Sequence, residues 1–125
     1  ESNSIYEKWN SFSRIRVFDD PVLKLSSKPY GWGLSDAHDP VEKIKQVLLE
    51  IDASTGTVLT QFNGDTKSIS YLKADITNLI HYVKNDANVL VIGAGGGRDI
   101  LSALAFNQKS ITAVEINKNI INVVT

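Results

Sequence analysis

Five consecutive small residues, Gly93-Ala94-Gly95-Gly96-Gly97, follow directly on the apolar run Asn88-Val89-Leu90-Val91-Ile92. Arg98 to Phe106 after them is helical in composition. A glycine turn between a strand and a helix can do definite chemistry. Missing Cβ atoms let a ligand approach the backbone, and the helix N-terminus offers unpaired amides and positive potential. Glu115 lies 22 residues after Gly93, near the end of the predicted strand Ile111 to Ile116. A carboxylate there can accept hydrogen bonds from both hydroxyls of a ribose whose nucleoside lies over the turn. Strand, glycine turn, helix, strand and acid together predict a nucleoside-bearing cofactor. The plain alternative is a glycine-rich turn with no ligand.

Spacing narrows the cofactor. The dinucleotide pattern G-x-G-x-x-G/A would need Gly or Ala where Arg98 stands, and starting it at Gly95 puts Ile100 in the last place. What fits is G-x-G-x-G at Gly93, Gly95 and Gly97. The Walker pattern G-x-x-x-x-G-K-[ST] is absent, so nucleotide hydrolysis loses its main support.

Other chemistry-bearing residues are sparse. His38 sits in a polar turn with Asp36 and Asp39, and His81 lies beside an apolar helical stripe. Both read as structural, and no metal site is predicted. Trp9, Tyr30 and Trp32 could line a substrate entrance or anchor a loop on the core. No G-x-S-x-G elbow accompanies the serines, and no catalytic residue is identified.

The elements that must position the turn can be read along the chain. Ser13 to Phe18 alternates polar and apolar side chains as a half-buried strand does, and Val22 to Leu25 reads as its hairpin partner. Ser26 to Pro40, with Pro29, Gly31, Gly33 and Pro40, is a loop. Residues 44–62 read as a β-hairpin turning at Asp52 to Gly56. Ile69, Leu72, Ile76, Leu79, Ile80 and Val83 then recur at spacings of three and four, predicting one amphipathic helix that Asp65 or Thr66 caps. Residues 88–92 are expected to be a strand buried on both faces of a parallel sheet. The expected fold class is α/β: a small N-terminal β-region (1–64), a linking helix (65–87), and the first βαβ unit of an incomplete Rossmann-like sheet (88–125).

Composition sets the outer limits. The chain has 125 residues, 42% hydrophobic and 22% charged, which places it among globular rather than disordered chains. A net charge of -1 argues against a nucleic-acid partner. No run of about 18 apolar residues is present to cross a bilayer. Cysteine is absent, which excludes disulfides, thiolate metal sites and a Cys nucleophile. Methionine is absent too, and Lys118 to Val124 reads as the opening of a helix, so the chain is expected to be part of a longer protein. A two-stranded parallel unit with open edges is expected to self-associate.

Val89 to Leu101, with Ala113-Val114-Glu115-Ile116-Asn117, resembles the first and second motifs of class I S-adenosylmethionine-dependent methyltransferases. The closer resemblance is to their spermidine synthase-like (polyamine aminopropyltransferase) branch, in which a small β-domain and a linking helix precede the glycine motif. Trp9 to Arg14 and Gly31-Trp32-Gly33 are similar to bacterial members that carry this domain behind membrane-spanning helices. The resemblance implies S-adenosylmethionine or its decarboxylated form as cofactor, with Gly93, Ala94, Gly95 and Gly97 as floor under its amino-acid part. Glu115 would bind the ribose and Ile116 would pack on adenine. Arg98 and Asp99 could support that floor, although an acid at a helix start is favourable without any ligand. The implied activity is methyl or aminopropyl transfer to a small acceptor, an amine being one candidate, and the implied location is the cytoplasm or the cytoplasmic side of an inner membrane. A non-catalytic regulatory module that binds the cofactor is the alternative. The branch's acidic-Tyr-His-Glu signature is missing, since Tyr71 is followed by Leu72 and Lys73.

Overall fold

The computed structural model describes residues 4–26, 28–38 and 43–125. Asp39 and Pro40, expected in the loop, lie outside them. Four strands, β1 (Ser4–Trp9), β2 (Arg14–Phe18), β3 (Gln46–Ile51) and β4 (Thr55–Thr60), form an antiparallel sheet in sequential order. Alternation fixes its faces. Ile15 and Val17 point inward with Leu49, while Arg16 points outward and pairs at 2.6 Å with Glu50, its register partner across the strands. The β3–β4 hairpin turns through Asp52 and Ala53, both at positive φ.

A separate two-stranded parallel sheet holds β5 (Asn88–Ile92) and β6 (Ser110–Val114), joined by the helix α3 (Arg98–Ala105). A last helix, α4 (Lys118–Val124), packs Ile120 on Ile15, Val17 and Leu49 of the antiparallel sheet. A second apolar cluster joins Ile69, Tyr71 and Leu72 to Leu101 and Ala105 of α3.

This architecture corrects the expected α/β class. Among the described residues four of the six strands are antiparallel and lie in their own sheet, and two parallel strands do not amount to the start of a Rossmann-like sheet. Nor is the parallel pair buried on both faces: Leu90 is 60% and Ile92 79% exposed, and of β5 only Val91 is buried. The continuous linking helix is also absent. Its stripe is divided between two 3-10 turns, Ser70–Ala74 and Ile76–Asn78, and a short helix α2 (Leu79–Val83). The break falls at Asp75, whose backbone is extended and whose carboxylate is claimed by Gly33, Thr77 and Arg98. Val22 to Leu25 is helical rather than a hairpin strand, within α1 (Pro21–Leu25). Asp20 caps it, accepting from the Val22 and Leu23 amides, and Pro21 occupies the first turn, where its missing N–H costs nothing. Asp65 accepts from the Lys67 amide in a turn that precedes the 3-10 segment. Among the described residues no helix is long and apolar enough to cross a membrane.

Candidate functional site

The glycine turn leaves β5 and enters α3 with Gly93, Gly95 and Gly97 at φ of 72°, 51° and 79°, a conformation other residues resist. Its hydrogen bonds are mostly internal. Gly93 and Ala94 donate to the Val114 carbonyl at 2.8 and 3.1 Å, and Gly97 donates to Ala94 at 2.8 Å. Gly95 donates to Glu115 Oε2 at 2.8 Å, while Asn117 donates to Oε1 at 2.8 Å. Four of the amides that the glycine motif suggested as ligand donors therefore serve the chain itself. The Gly96, Arg98 and Asp99 amides at the start of α3 have no acceptor among the described residues, and no side chain caps that end.

Glu115 thus stands behind the turn and fixes its shape. Each oxygen takes one amide and keeps a further lone pair. Asn117, next to it and buried, caps α4 through Asn119 and also meets the N-terminal hairpin. It accepts from Asn10 Nδ2 and donates to Ser13 Oγ, both at 2.9 Å. Asn10 in turn accepts from the Phe12 and Ser13 amides. The Trp9 to Arg14 stretch therefore acts on the site by holding the segment that carries the acid.

A cleft of about 280 Å³ opens over the turn, with Trp32, Thr55, Thr57 and Asp99 among its walls and Gly93, Ala94 and Gly95 on its floor. A Cβ built on Gly93 would meet nothing within 4 Å, so the space above it is open. Gly97 and Glu115 do not line this cleft, and Ile116 is 89% exposed.

Asp75 and Arg98, 23 residues apart, form an ion pair that sequence reasoning missed. The Asp75 side chain is fully buried, and it also accepts from the Thr77 amide at 2.9 Å, the Thr77 hydroxyl at 2.6 Å and the Gly33 amide at 3.3 Å. Arg98 Nη1 reaches Thr77 Oγ1 at 3.1 Å. Burial alone would raise the Asp75 carboxyl. The Thr77 bonds, the Arg98 charge and the Gly33 amide outweigh it and hold the pKa below its ordinary value. Gly33 is obligatory here, since a Cβ would lie 2.6 Å from Ile76 Cγ2 and 2.9 Å from Asp75 Oδ1. The pair thereby ties the Trp32 loop to the first turn of α3. The signals available in sequence were Asp75-Ile76-Thr77 and Gly31-Trp32-Gly33.

The remaining candidates take structural places. His81 stacks on Phe106 with centroids 5.1 Å apart and meets Gln108 through Nδ1 at 3.0 Å. His38 donates its amide to Ser35, its companion Asp39 lies outside the described residues, and no metal-ligand group occurs among those described. Tyr71 is buried, its hydroxyl bonded to Thr60 at 3.3 Å, and burial pushes its pKa up. No protein-family model, curated protein or solved structure matches the chain.

Proposed function

We infer that the chain supplies the cofactor-binding part of an S-adenosylmethionine-dependent transferase, for methyl or aminopropyl transfer to a small acceptor. The observation that carries this reading is the bond between Gly95 and Glu115, which makes two sequence motifs 20 residues apart into one structure. The open space above Gly93 leaves room for a group lying on the turn. Its volume, just below the usual range for ligand sites, suits one part of such a cofactor rather than the whole. Gly93, Ala94 and Gly95 would form the floor and the free amides of Gly96, Arg98 and Asp99 would meet the cofactor's carboxylate, while Glu115, outside this cleft, would offer its second lone pairs to a ribose lying beyond the rim. The cofactor's sulfonium supplies the activation; the chain's own task is orientation.

A non-catalytic binding module is the second reading. It is favoured by the cleft's lining, where the titratable side chains are Arg98, already paired, and Asp99. Calorimetric titration with S-adenosylmethionine, its decarboxylated form and NAD tests the class. Saturable heat with either sulfonium compound is expected. Heat with NAD alone would refute the proposal, and binding without turnover over a panel of acceptors would select the module.

A further inference from the structure

Beside the glycine turn lies a second cleft of about 330 Å³, between α1 and the β3–β4 hairpin, with Leu23, Tyr30, Trp32, Leu48 and Val58 in its walls. It shares Trp32, Gly56 and Thr57 with the cleft over the turn. We propose that this aromatic cleft is a binding site for an uncharged apolar ring, and that the ring belongs to the acceptor of the transferred group. The second half of that statement rests on the function proposed above; the first does not.

Three observations carry it. Tyr30 and Trp32 meet edge to face with centroids 5.4 Å apart, yet they remain 40% and 65% exposed. Aromatic surface of this kind gains more by covering with another ring than by contact with water. Their exposure is not looseness, because the backbone beneath is fixed on both sides. Gln46 accepts from the Tyr30 amide at 2.7 Å and donates to its carbonyl at 3.3 Å. Gly33, the residue after Trp32, donates to Asp75 and accepts from Ile76 at 3.0 Å. A rigid aromatic wall loses little entropy when a ligand covers it.

Charge defines the chemical class. Among the described lining residues Asp20 alone is charged, and its Oδ1 already serves the Val22 and Leu23 amides. Among the described lining residues no cation is present to receive an anion. Apart from Gly56 and Thr57, the remaining walls are aliphatic or aromatic, which favours a neutral ring over a charged one. The shared wall then brings that ring next to whatever lies on the glycine turn, as group transfer between two ligands requires.

Trp9→Phe leaves Trp32 as the only tryptophan of the chain and so as the reporter of this cleft. Benzyl alcohol, benzylamine and benzoate, which share a ring and differ in charge, are titrated against its emission. Benzyl alcohol is expected to saturate in the millimolar range, as suits so small a ligand. Benzoate should bind about tenfold or more weakly. Tyr30→Ala in the same background should abolish the saturable change. Absence of saturation, indifference to Tyr30→Ala, or benzylamine binding more tightly than benzyl alcohol would overturn the site. Calorimetry with S-adenosylmethionine on the same protein separates the two proposals. Benzyl alcohol binding without sulfonium heat refutes the transferase reading and the acceptor assignment. Sulfonium heat without benzyl alcohol binding refutes this site alone.

Discussion

Arg98→Ala should destabilise the protein severely for a single truncation near the surface. It would leave the Asp75 carboxylate, whose side chain is fully buried, without its cation. Breaking a buried ion pair from one side costs about 3–5 kcal/mol. Asp75 keeps three donors, the Thr77 amide and hydroxyl and the Gly33 amide, so the lower end, about 3 kcal/mol, is expected. Urea unfolding at neutral pH measures it directly: with a slope of about 2 kcal/mol per molar, the midpoint should fall by about 1.5 M. The acid limb supplies a second readout. The folded Asp75 pKa is depressed, so the native state binds fewer protons than the unfolded chain as pH falls below about 4. The stability this group contributes is therefore fully present above the unfolded value and lost as pH drops through the folded one. Removing Arg98 takes away one of the lowering influences and should shrink that acid-dependent portion. A midpoint shift below about 0.5 M together with an unchanged acid limb would show that the pair does not hold the Trp32 loop to α3.

Three further outcomes are expected. Glu115→Ala should weaken S-adenosylmethionine binding by about 1–3 kcal/mol in calorimetry, while Glu115→Gln, which keeps one carbonyl acceptor, should lose less; equal affinity in all three proteins would remove Glu115 from the site. Gly96→Ala would set a Cβ 2.9 Å from both the Val58 carbonyl and Thr57 Cγ2, so thermal unfolding should report a loss of about 1–3 kcal/mol. The exposed Leu90, Ile92 and Val114 on one face of the parallel pair should drive self-association, and Ile92→Lys should shift sedimentation toward monomer; a wild-type protein already monomeric at high concentration would refute this.

Local patterns were legible where local forces decide. Arg14 to Phe18 alternates because one face of its strand is buried, and the 44–62 hairpin announced itself through Asp52 to Gly56 between two apolar runs. The glycine turn and the strands flanking it were equally visible. Val22 to Leu25 reads as a hairpin strand from its own residues, yet Asp20-Pro21 just before it is a helix-start signal, and the backbone there forms the cap. The stripe from Ile69 to Val83 has helical spacing throughout, yet Asp75 withdraws from the helix because Arg98, Thr77 and Gly33 all bond its carboxylate. Those partners come from three separate segments, and no window of sequence contains them. Burial of β5 failed for a related reason: an apolar run shows what a strand could cover, not whether anything covers it. Spacing singled out Glu115 as a ribose ligand, whereas its engagement with the Gly95 and Asn117 amides is a matter of rotamer and loop geometry that spacing does not show.

Asn117 bonds Asn10 across 107 residues of chain, and this has a bearing on the order in which the molecule assembles. During synthesis the N-terminal strands emerge long before the glycine turn, and they contain the complete antiparallel sheet up to Thr60. That sheet can serve as a template, with the Asn10–Ser13 corner waiting to receive the segment around Asn117. A permuted chain that made the glycine turn first would have to shape it without that template, whereas the natural order leaves the 107-residue closure between Asn10 and Asn117, with its larger entropic cost, to a late step.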